Sequence, residues 1–77
     1  MKPEELQNIV AEILGVDPAR LSDDAGPGSI DSWDSLAHLT IVTAVEETYG
    51  IQFGMDEIRQ IDSFGALKKA LQAHVAT

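Results

Sequence analysis

The chain has 77 residues, with thirteen acidic and five basic side chains, a formal net charge of −8 at pH 7 and no cysteine. The missing cysteines exclude disulfides and thiolate metal sites, and the negative charge makes nucleic acid and anionic membranes unfavourable partners. The length predicts one domain, residues 1–77, with one core and little room for an enclosed active site.

Neither a targeting segment nor a metal site is predicted. The first residues lack the apolar core of a signal peptide, and no stretch is long enough to span a bilayer. The two histidines, His38 and His74, lie far apart along the chain and indicate no resident metal. We therefore expect a protein of the cytoplasm that binds neither nucleic acid nor membrane.

The first periodic segment predicts an amphipathic helix from Pro3 to about Leu14. Proline suits the first helical position, two acids follow it at the positive helix end, and Gly15 is a natural stop. The apolar face consists of Leu6, Ile9, Val10, Ile13 and Leu14. This helix is expected to support the core and to carry no chemistry.

Turn-forming residues dominate the next stretch, from Val16 to Trp33. The absence of periodicity predicts a long loop, with one turn near Pro18–Leu21. Long loops are uncommon in compact domains and tend to be functional. The side chains expected to hold this loop against the helices are Val16, Leu21, Ile30 and Trp33.

A second helix is predicted from Ser35 to about Tyr49, ended by Gly50. Its core side consists of Ile41, Val42, Val45 and Tyr49. The opposite, solvent-facing side carries Leu36, Thr40, Thr43 and Glu47. His38 falls near the apolar side, one turn after Ser35, where it is expected to fill the top of the core.

Two further helices complete the predicted architecture. Ile51 and Phe53 point inward from a short extended linker, and a helix of about two turns follows over Met55–Ile61. Ser63 is a suitable N-cap for a last helix that ends near His74. The inward residues of that helix are Phe64, Leu67, Leu71 and Val75. The predicted fold is all-α: a small four-helix bundle with three longer helices, a short third one and a long first loop.

The tripeptide Asp34-Ser35-Leu36 places a hydroxyl in the first turn of the second helix, directly after a carboxylate. An anion attached to Ser35 would meet unpaired N–H groups at the positive end of the helix dipole. Seven acids and one base, Arg59, lie between residues 31 and 62, so this stretch carries six net negative charges. We therefore expect a docking surface for basic protein partners around Ser35.

The residues alone leave three interpretations of Ser35 open: a nucleophile, a modification site or an ordinary helix cap. A hydrolytic serine would use His38, its neighbour at i+3, as the base. Asp34 adjoins Ser35 and is poorly placed to orient the imidazole, and no glycine-rich elbow surrounds the serine. A helix cap explains the serine and leaves the surrounding pattern unexplained.

That pattern resembles an acyl carrier protein. The resemblance rests on the amphipathic first helix, the long loop, Asp-Ser-Leu at 34–36 and a second helix that ends in Glu-Glu-Thr-Tyr-Gly-Ile at 46–51. The short third helix and Asp-Ser-Phe at 62–64 extend it over essentially the whole chain. It implies that a phosphopantetheinyl transferase attaches 4′-phosphopantetheine from coenzyme A to Ser35, and that the thiol of this group carries an acyl or aminoacyl cargo as a thioester. Asp34 matches the family aspartate that helps hold Mg²⁺ during transfer.

The resemblance also implies a monomeric carrier that is not an enzyme. Its acidic surface would meet basic surfaces of the transferase, of an acyl- or aminoacyl-loading ligase, and of a ketosynthase or other acyltransferase. The docking residues expected from this resemblance and from the acidic surface are Leu36, Thr40, Glu47, Asp56 and Glu57. The alternative within the same fold is an unmodified carrier-like subunit used only for protein contacts.

Trp33 and His38 depart from the fatty-acid type of carrier. Trp33 stands where a small residue is usual, and Ala37, His38 and Thr40 reduce the number of acids in the first turns of the second helix. These features resemble freestanding carriers of polyketide, nonribosomal-peptide or other specialised pathways. Trp33 is expected to close the core where the loop enters. Alternatively, Trp33 and His38 contact the pantetheine arm or shape the cargo's access to the core.

Overall fold

The computed structural model describes residues 3–75, and within this range the chain forms four helices. In chain order they are α1 (Pro3–Leu14), α2 (Ser35–Tyr49), α3 (Met55–Gln60) and α4 (Phe64–Val75). A 3₁₀ turn at Pro18–Arg20 lies in the long loop between α1 and α2. The predicted all-α bundle is confirmed, and the helix bounds agree closely with the sequence pattern. None of these four helices is both long enough and apolar enough to cross a membrane.

The core is formed by apolar faces of α1, α2 and α4, completed by side chains of the long loop. Its most deeply covered members are Leu6, Val10, Trp33, Ile41, Val45, Leu67 and Leu71. Burying one large apolar side chain contributes about 1.5–3 kcal/mol relative to leaving it exposed. This cluster is therefore the main source of stability for a small fold without disulfides.

Glycine ends both α1 and α2, as predicted. Gly15 (φ 69°) and Gly50 (φ 66°) adopt the left-handed backbone conformation, which a residue with a Cβ atom disfavours. After Gly50, the amide of Ile51 donates to the carbonyl oxygen of Glu46 at 3.1 Å. The Glu46 carboxylate accepts from the amide of Phe53 at 2.7 Å, so α2 also fixes the linker that follows it.

The long loop packs against the helices through the side chains that the sequence indicated. Leu21, Ile30 and Trp33 are buried, and Val16 is half-buried against the core. The hydroxyl of Ser32 donates to the carbonyl oxygen of Leu14 at 2.8 Å. The loop is therefore attached to the end of α1 immediately before α2 begins.

Backbone hydrogen bonds join the middle of the long loop to the start of α4. The amide of Phe64 donates to the carbonyl oxygen of Ala25 at 2.7 Å, and that of Gly65 to Asp23 at 2.9 Å. Ser63 caps the same turn with its hydroxyl oxygen, as predicted. The first amides of a helix have no intrahelical partner, so the loop supplies the acceptors that the start of α4 needs.

Several side chains are less buried than their sequence pattern predicted. Val75 is 38% exposed, so its predicted inward orientation is wrong. The reason is that residues 72–75 are all exposed or half-buried, and the last turn of α4 extends past the core. Ile9, Ile13, Tyr49 and Ile51 are half-buried. Burial, followed by the negative charge of Glu5, raises the pKa of the Tyr49 hydroxyl.

Candidate functional site

Asp34 and Ser35 form the start of α2. The backbone of Asp34 is extended (φ −98°, ψ −173°), and its Oδ1 accepts a hydrogen bond from the amide of Ala37 at 2.8 Å, which makes Asp34 the N-cap. Ser35 is the first helical residue, and it is exposed. The amides of Ser35 and Leu36 have no intrahelical acceptor because they lie in the first turn. The hydroxyl of Ser35 is therefore accessible at the positive end of the helix.

A groove of about 610 Å³ opens beside Ser35. Pro27 of the long loop and Leu39 of α2 contribute to its walls, together with Arg59 and Ile61 at the end of α3. Apolar side chains make up much of this lining, and Arg59 adds a positive charge. The sequence pattern did not indicate this groove, because its walls come from three segments that are distant along the chain.

Trp33 and His38 connect the long loop, α2 and α3 at this groove. The indole N–H of Trp33 donates to Nδ1 of His38 at 3.1 Å, and Nε2 of His38 lies 3.1 Å from the carbonyl oxygen of Ile58. Because Nδ1 accepts, the hydrogen lies on Nε2, which donates to Ile58. Trp33 is only 1% exposed, whereas His38 is half-buried. We call these two hydrogen bonds the Trp33–His38–Ile58 bridge.

The same bridge argues against Ser35 as a hydrolytic nucleophile. A general base must offer an acceptor nitrogen to the serine hydroxyl. Nδ1 of His38 already accepts from Trp33, and Nε2 donates to a backbone carbonyl. Asp34 caps the helix and makes no hydrogen bond to the imidazole. Within residues 3–75, the arrangement that would activate Ser35 as a nucleophile is therefore missing.

Comparison with known sequences identifies the family. The family described as the phosphopantetheine attachment site matches residues 4–71. An acyl carrier protein of Guillardia theta is 35% identical over 60 residues, which cover 78% of this chain and 74% of the relative. The polyketide-8 synthase acyl carrier protein 2 of Streptomyces avermitilis is 35% identical over 60 residues, or 78% of this chain and 69% of that one. The chain belongs to the acyl carrier protein family.

The fold agrees with membership of the acyl carrier protein family. The solution structure of a holo acyl carrier protein from Geobacter metallireducens matches with a TM-score of 0.86 at 26% identity, covering 96% of this chain and 85% of that chain. Proteins of this family are carriers and not enzymes, and the family implies a phosphopantetheine prosthetic group. The predicted carrier role is thereby confirmed at the level of the family.

On this acyl carrier protein, the solvent-facing side of α2 is exposed as the sequence pattern predicted. Leu36 is 75% exposed, and Thr40 and Glu47 are also exposed. A shallow depression of about 360 Å³ extends along this side from Leu39 to Glu47. Leu39 is 56% exposed and was missed by sequence reasoning. Its spacing of three residues from Leu36 would have placed it on the same side.

The two predicted docking residues of α3 differ in their surroundings. Asp56 is exposed, next to Met55, which is 72% exposed and which sequence reasoning did not single out. The Glu57 carboxylate instead accepts from the amide of Gly54 at 3.0 Å and contacts Nε2 of His74 at 2.9 Å. The bond from Gly54, followed by that from His74, holds the pKa of Glu57 below its usual range. Glu57 therefore already has partners within the molecule.

Proposed function

We propose that Ser35 carries 4′-phosphopantetheine, which a phosphopantetheinyl transferase attaches from coenzyme A. The observation that carries this proposal is the exposed hydroxyl of Ser35 at the first position of α2, inside the span that matches the phosphopantetheine attachment family. The Ser35 oxygen loses its proton and bonds to the phosphorus that bears pantetheine, and adenosine 3′,5′-bisphosphate leaves. The thiol of the attached group supplies the point at which an acyl or aminoacyl cargo is held as a thioester.

The surroundings of Ser35 suit a phosphodiester. A negative group in the first turn of a helix is stabilised by about 0.3–1 kcal/mol at an exposed position. The Asp34 carboxylate beside it would repel the phosphate, and this conflict is removed when a divalent cation lies between the two. Capping of α2 uses only Oδ1 of Asp34, and a carboxylate has a second oxygen that can bind Mg²⁺. Asp34 would thus bind the metal during transfer, with other ligands coming from the transferase and coenzyme A.

The exposed side of α2 and the start of α3 are the proposed docking surface. Leu36 supplies an apolar contact, Thr40 a polar one, and Glu47 and Asp56 negative charges. These acids favour fast association with basic surfaces and ready release, which suits a carrier that visits several enzymes. The partners that we propose are the transferase, an acyl- or aminoacyl-loading ligase, and a ketosynthase or other acyltransferase. Glu57 contributes to the same surface through its charge, while its bonds to α3 and α4 persist.

We assign this carrier, as a monomer of the cytoplasm, to a specialised pathway of the polyketide or nonribosomal-peptide kind. The support comes from Trp33 and His38 beside the attachment position and from similarity to a polyketide synthase carrier of Streptomyces avermitilis. The Guillardia theta protein has the same 35% identity, so the assignment depends on Trp33 and His38 as well as on the relatives. The cargo found on the protein from its native host would test the assignment directly.

The central experiment measures mass after incubation with a phosphopantetheinyl transferase, coenzyme A and Mg²⁺. The wild-type chain should gain one phosphopantetheinyl group, and Ser35→Ala should gain none while keeping its helical circular dichroism. Ser22→Ala is the matched control, because Ser22 is another exposed serine of the long loop and should leave labelling unchanged. If the wild type gains no mass with a competent transferase, or if Ser35→Ala still gains it, the assignment of Ser35 is wrong. The unmodified-subunit alternative predicts no loss of pathway function in Ser35→Ala.

A further inference from the structure

Arg59 places a positive charge at the groove beside Ser35. It is exposed near the end of α3, and the carboxylates that line the same groove belong to Asp34 and Asp62. From residue 31 to residue 62 the chain has seven acids, and Arg59 is the one base among them. The groove therefore combines two negative side chains with a single guanidinium.

This guanidinium is not used inside the described part of the molecule. Within residues 3–75 it makes no ion pair and no hydrogen bond; the ion pairs found there join Lys68 to Asp23 and His74 to Glu57. Asp56 precedes Arg59 by three residues in α3, a spacing at which helical side chains of opposite charge can pair, and that pair is not formed. The N–H donors of Arg59 can therefore bind an anion that comes from outside the fold.

We infer that the guanidinium of Arg59 binds the phosphate that is attached to Ser35. This inference rests on the proposed attachment at Ser35. The phosphate is bonded to the serine oxygen in the modified chain, so it lies at the groove that Arg59 lines, whatever direction the rest of the attached group takes. Guanidinium and phosphate form charge-assisted hydrogen bonds, and the planar guanidinium can bind two phosphate oxygens at once. The covalent bond keeps the phosphate close, so a weak contact is sufficient.

The modified chain needs such a counter-charge. Attachment brings a further negative charge to a groove that already contains the carboxylates of Asp34 and Asp62. The metal proposed for the transfer step loses the ligands that the transferase and coenzyme A supply when these dissociate. Arg59 belongs to the chain and keeps its charge at every physiological pH. It therefore offsets the repulsion between the phosphate and the two carboxylates after the transferase has left.

The first test is nuclear magnetic resonance of the arginine side chains in the unmodified and the modified protein. The chain has two arginines, so Arg20, which is exposed at the 3₁₀ turn of the long loop, serves as an internal control. On modification the Nε–H signal of Arg59 should shift, and its exchange with water should slow by about twofold to fivefold, the range of an exposed ion pair. The signal of Arg20 should not change. Added salt should reduce the effect at Arg59, because the pair is exposed.

The second test compares stability in urea with and without the attached group. Arg59→Gln removes the charge and keeps a polar side chain. It should raise the equilibrium constant of unfolding by about twofold to fivefold more in the modified chain than in the unmodified one. Arg20→Gln makes the same change in net charge and should affect both forms equally. Arg59→Lys keeps the charge but not the planar fork, so it should retain part of the stabilisation.

The outcomes separate this inference from the proposed function. A wild-type chain that never gains the phosphopantetheinyl group overturns both. If the chain gains the group but the Arg59 signal stays the same, or if Arg59→Gln destabilises both forms equally, the inference alone is wrong. If Arg20→Gln reproduces the effect of Arg59→Gln, net charge explains the result and Arg59 does not bind the phosphate.

Discussion

Nε2 of His74 lies 2.9 Å from one carboxylate oxygen of Glu57 and 3.1 Å from the other, which joins the last turn of α4 to α3. The same carboxylate accepts from the amide of Gly54 at the start of α3. The ring of Phe53 contacts His74 edge-on, with centroids 5.2 Å apart. A helix of six residues is too short to be stable by itself, so these contacts hold α3 against the bundle.

Glu57→Gln should make the protein less sensitive to acid. The pKa of Glu57 is lowered in the folded state, first by the Gly54 amide and then by His74. A lowered pKa means that this carboxylate stabilises the fold above the usual glutamate value of 4.5 and that the contribution is lost as pH falls through the lowered value. Urea unfolding followed by circular dichroism should therefore show a larger difference between wild type and variant at pH 7 than at pH 3.

The part of this effect that comes from His74 can be measured separately. In a double-mutant cycle, Glu57→Gln should destabilise a His74→Ala background less than it destabilises the wild type, because one of its partners is already missing. A residual effect should persist, since the Gly54 amide still donates to the carboxylate. If the difference in stability between wild type and Glu57→Gln does not change with pH, the claim that folding lowers the pKa of Glu57 is wrong.

Gly26→Ala should destabilise the fold by about 1–3 kcal/mol, the usual cost of forcing atoms into a filled space. A Cβ atom at Gly26 would lie 2.5 Å from the carbonyl oxygen of Asp62, and relief would require the loop to move away from the start of α4. Gly28→Ala is a matched control two residues along the same loop, because nothing lies within 4 Å of its added Cβ. Thermal unfolding of both variants measures the contrast, and equal midpoints would contradict the close approach.

The local parts of the fold could be predicted from sequence because each has a local cause. Ser63 caps α4, and Gly15 and Gly50 end α1 and α2, as the sequence predicted. The interpretation of Ser35 as the cap of α2 is wrong, because Asp34 accepts the capping hydrogen bond and Ser35 is the first helical residue. The attachment of the long loop to α4 could not be predicted in the same way. It depends on backbone groups at 23–25 meeting amides at 64–65, and backbone hydrogen bonds between distant segments leave no pattern in residue type.

Some residues of the candidate site could also be predicted from sequence, and others could not. The position of Ser35 at the start of α2 could be predicted from its tripeptide and the helix pattern, and the exposure of Leu36 from helical spacing. The hydrogen-bond partner of His38 in α3 could not be predicted, because it is the backbone carbonyl of Ile58, which any residue would provide. Arg59 and Ile61 line the groove only because α3 packs beside the start of α2. These features need the three-dimensional arrangement of the helices.

Substitutions of Asp34 should separate its structural role from its proposed metal role. Asparagine is as good an N-cap as aspartate but has no charge, so Asp34→Asn should keep the stability of α2 and slow Mg²⁺-dependent transfer to Ser35. Asp34→Ala removes the bond to the Ala37 amide as well and should lower stability by about 1 kcal/mol. The measurements are thermal unfolding and the rate of mass gain at several Mg²⁺ concentrations. Transfer to Asp34→Asn at the wild-type rate would show that the carboxylate does not bind the metal.

Glu47→Lys should slow association with a transferase that has a basic docking surface. Glu47 is exposed on the solvent-facing side of α2, at the far end of the depression that begins at Leu39. Reversing its charge should mainly reduce the association rate, and the gap between variant and wild type should narrow as added salt screens the charges. Surface plasmon resonance at two ionic strengths measures both effects. Glu12→Lys is the matched control, since Glu12 is an exposed glutamate on α1 that makes the same change in net charge. Equal effects of the two variants would mean that total charge, and not the α2 surface, governs docking.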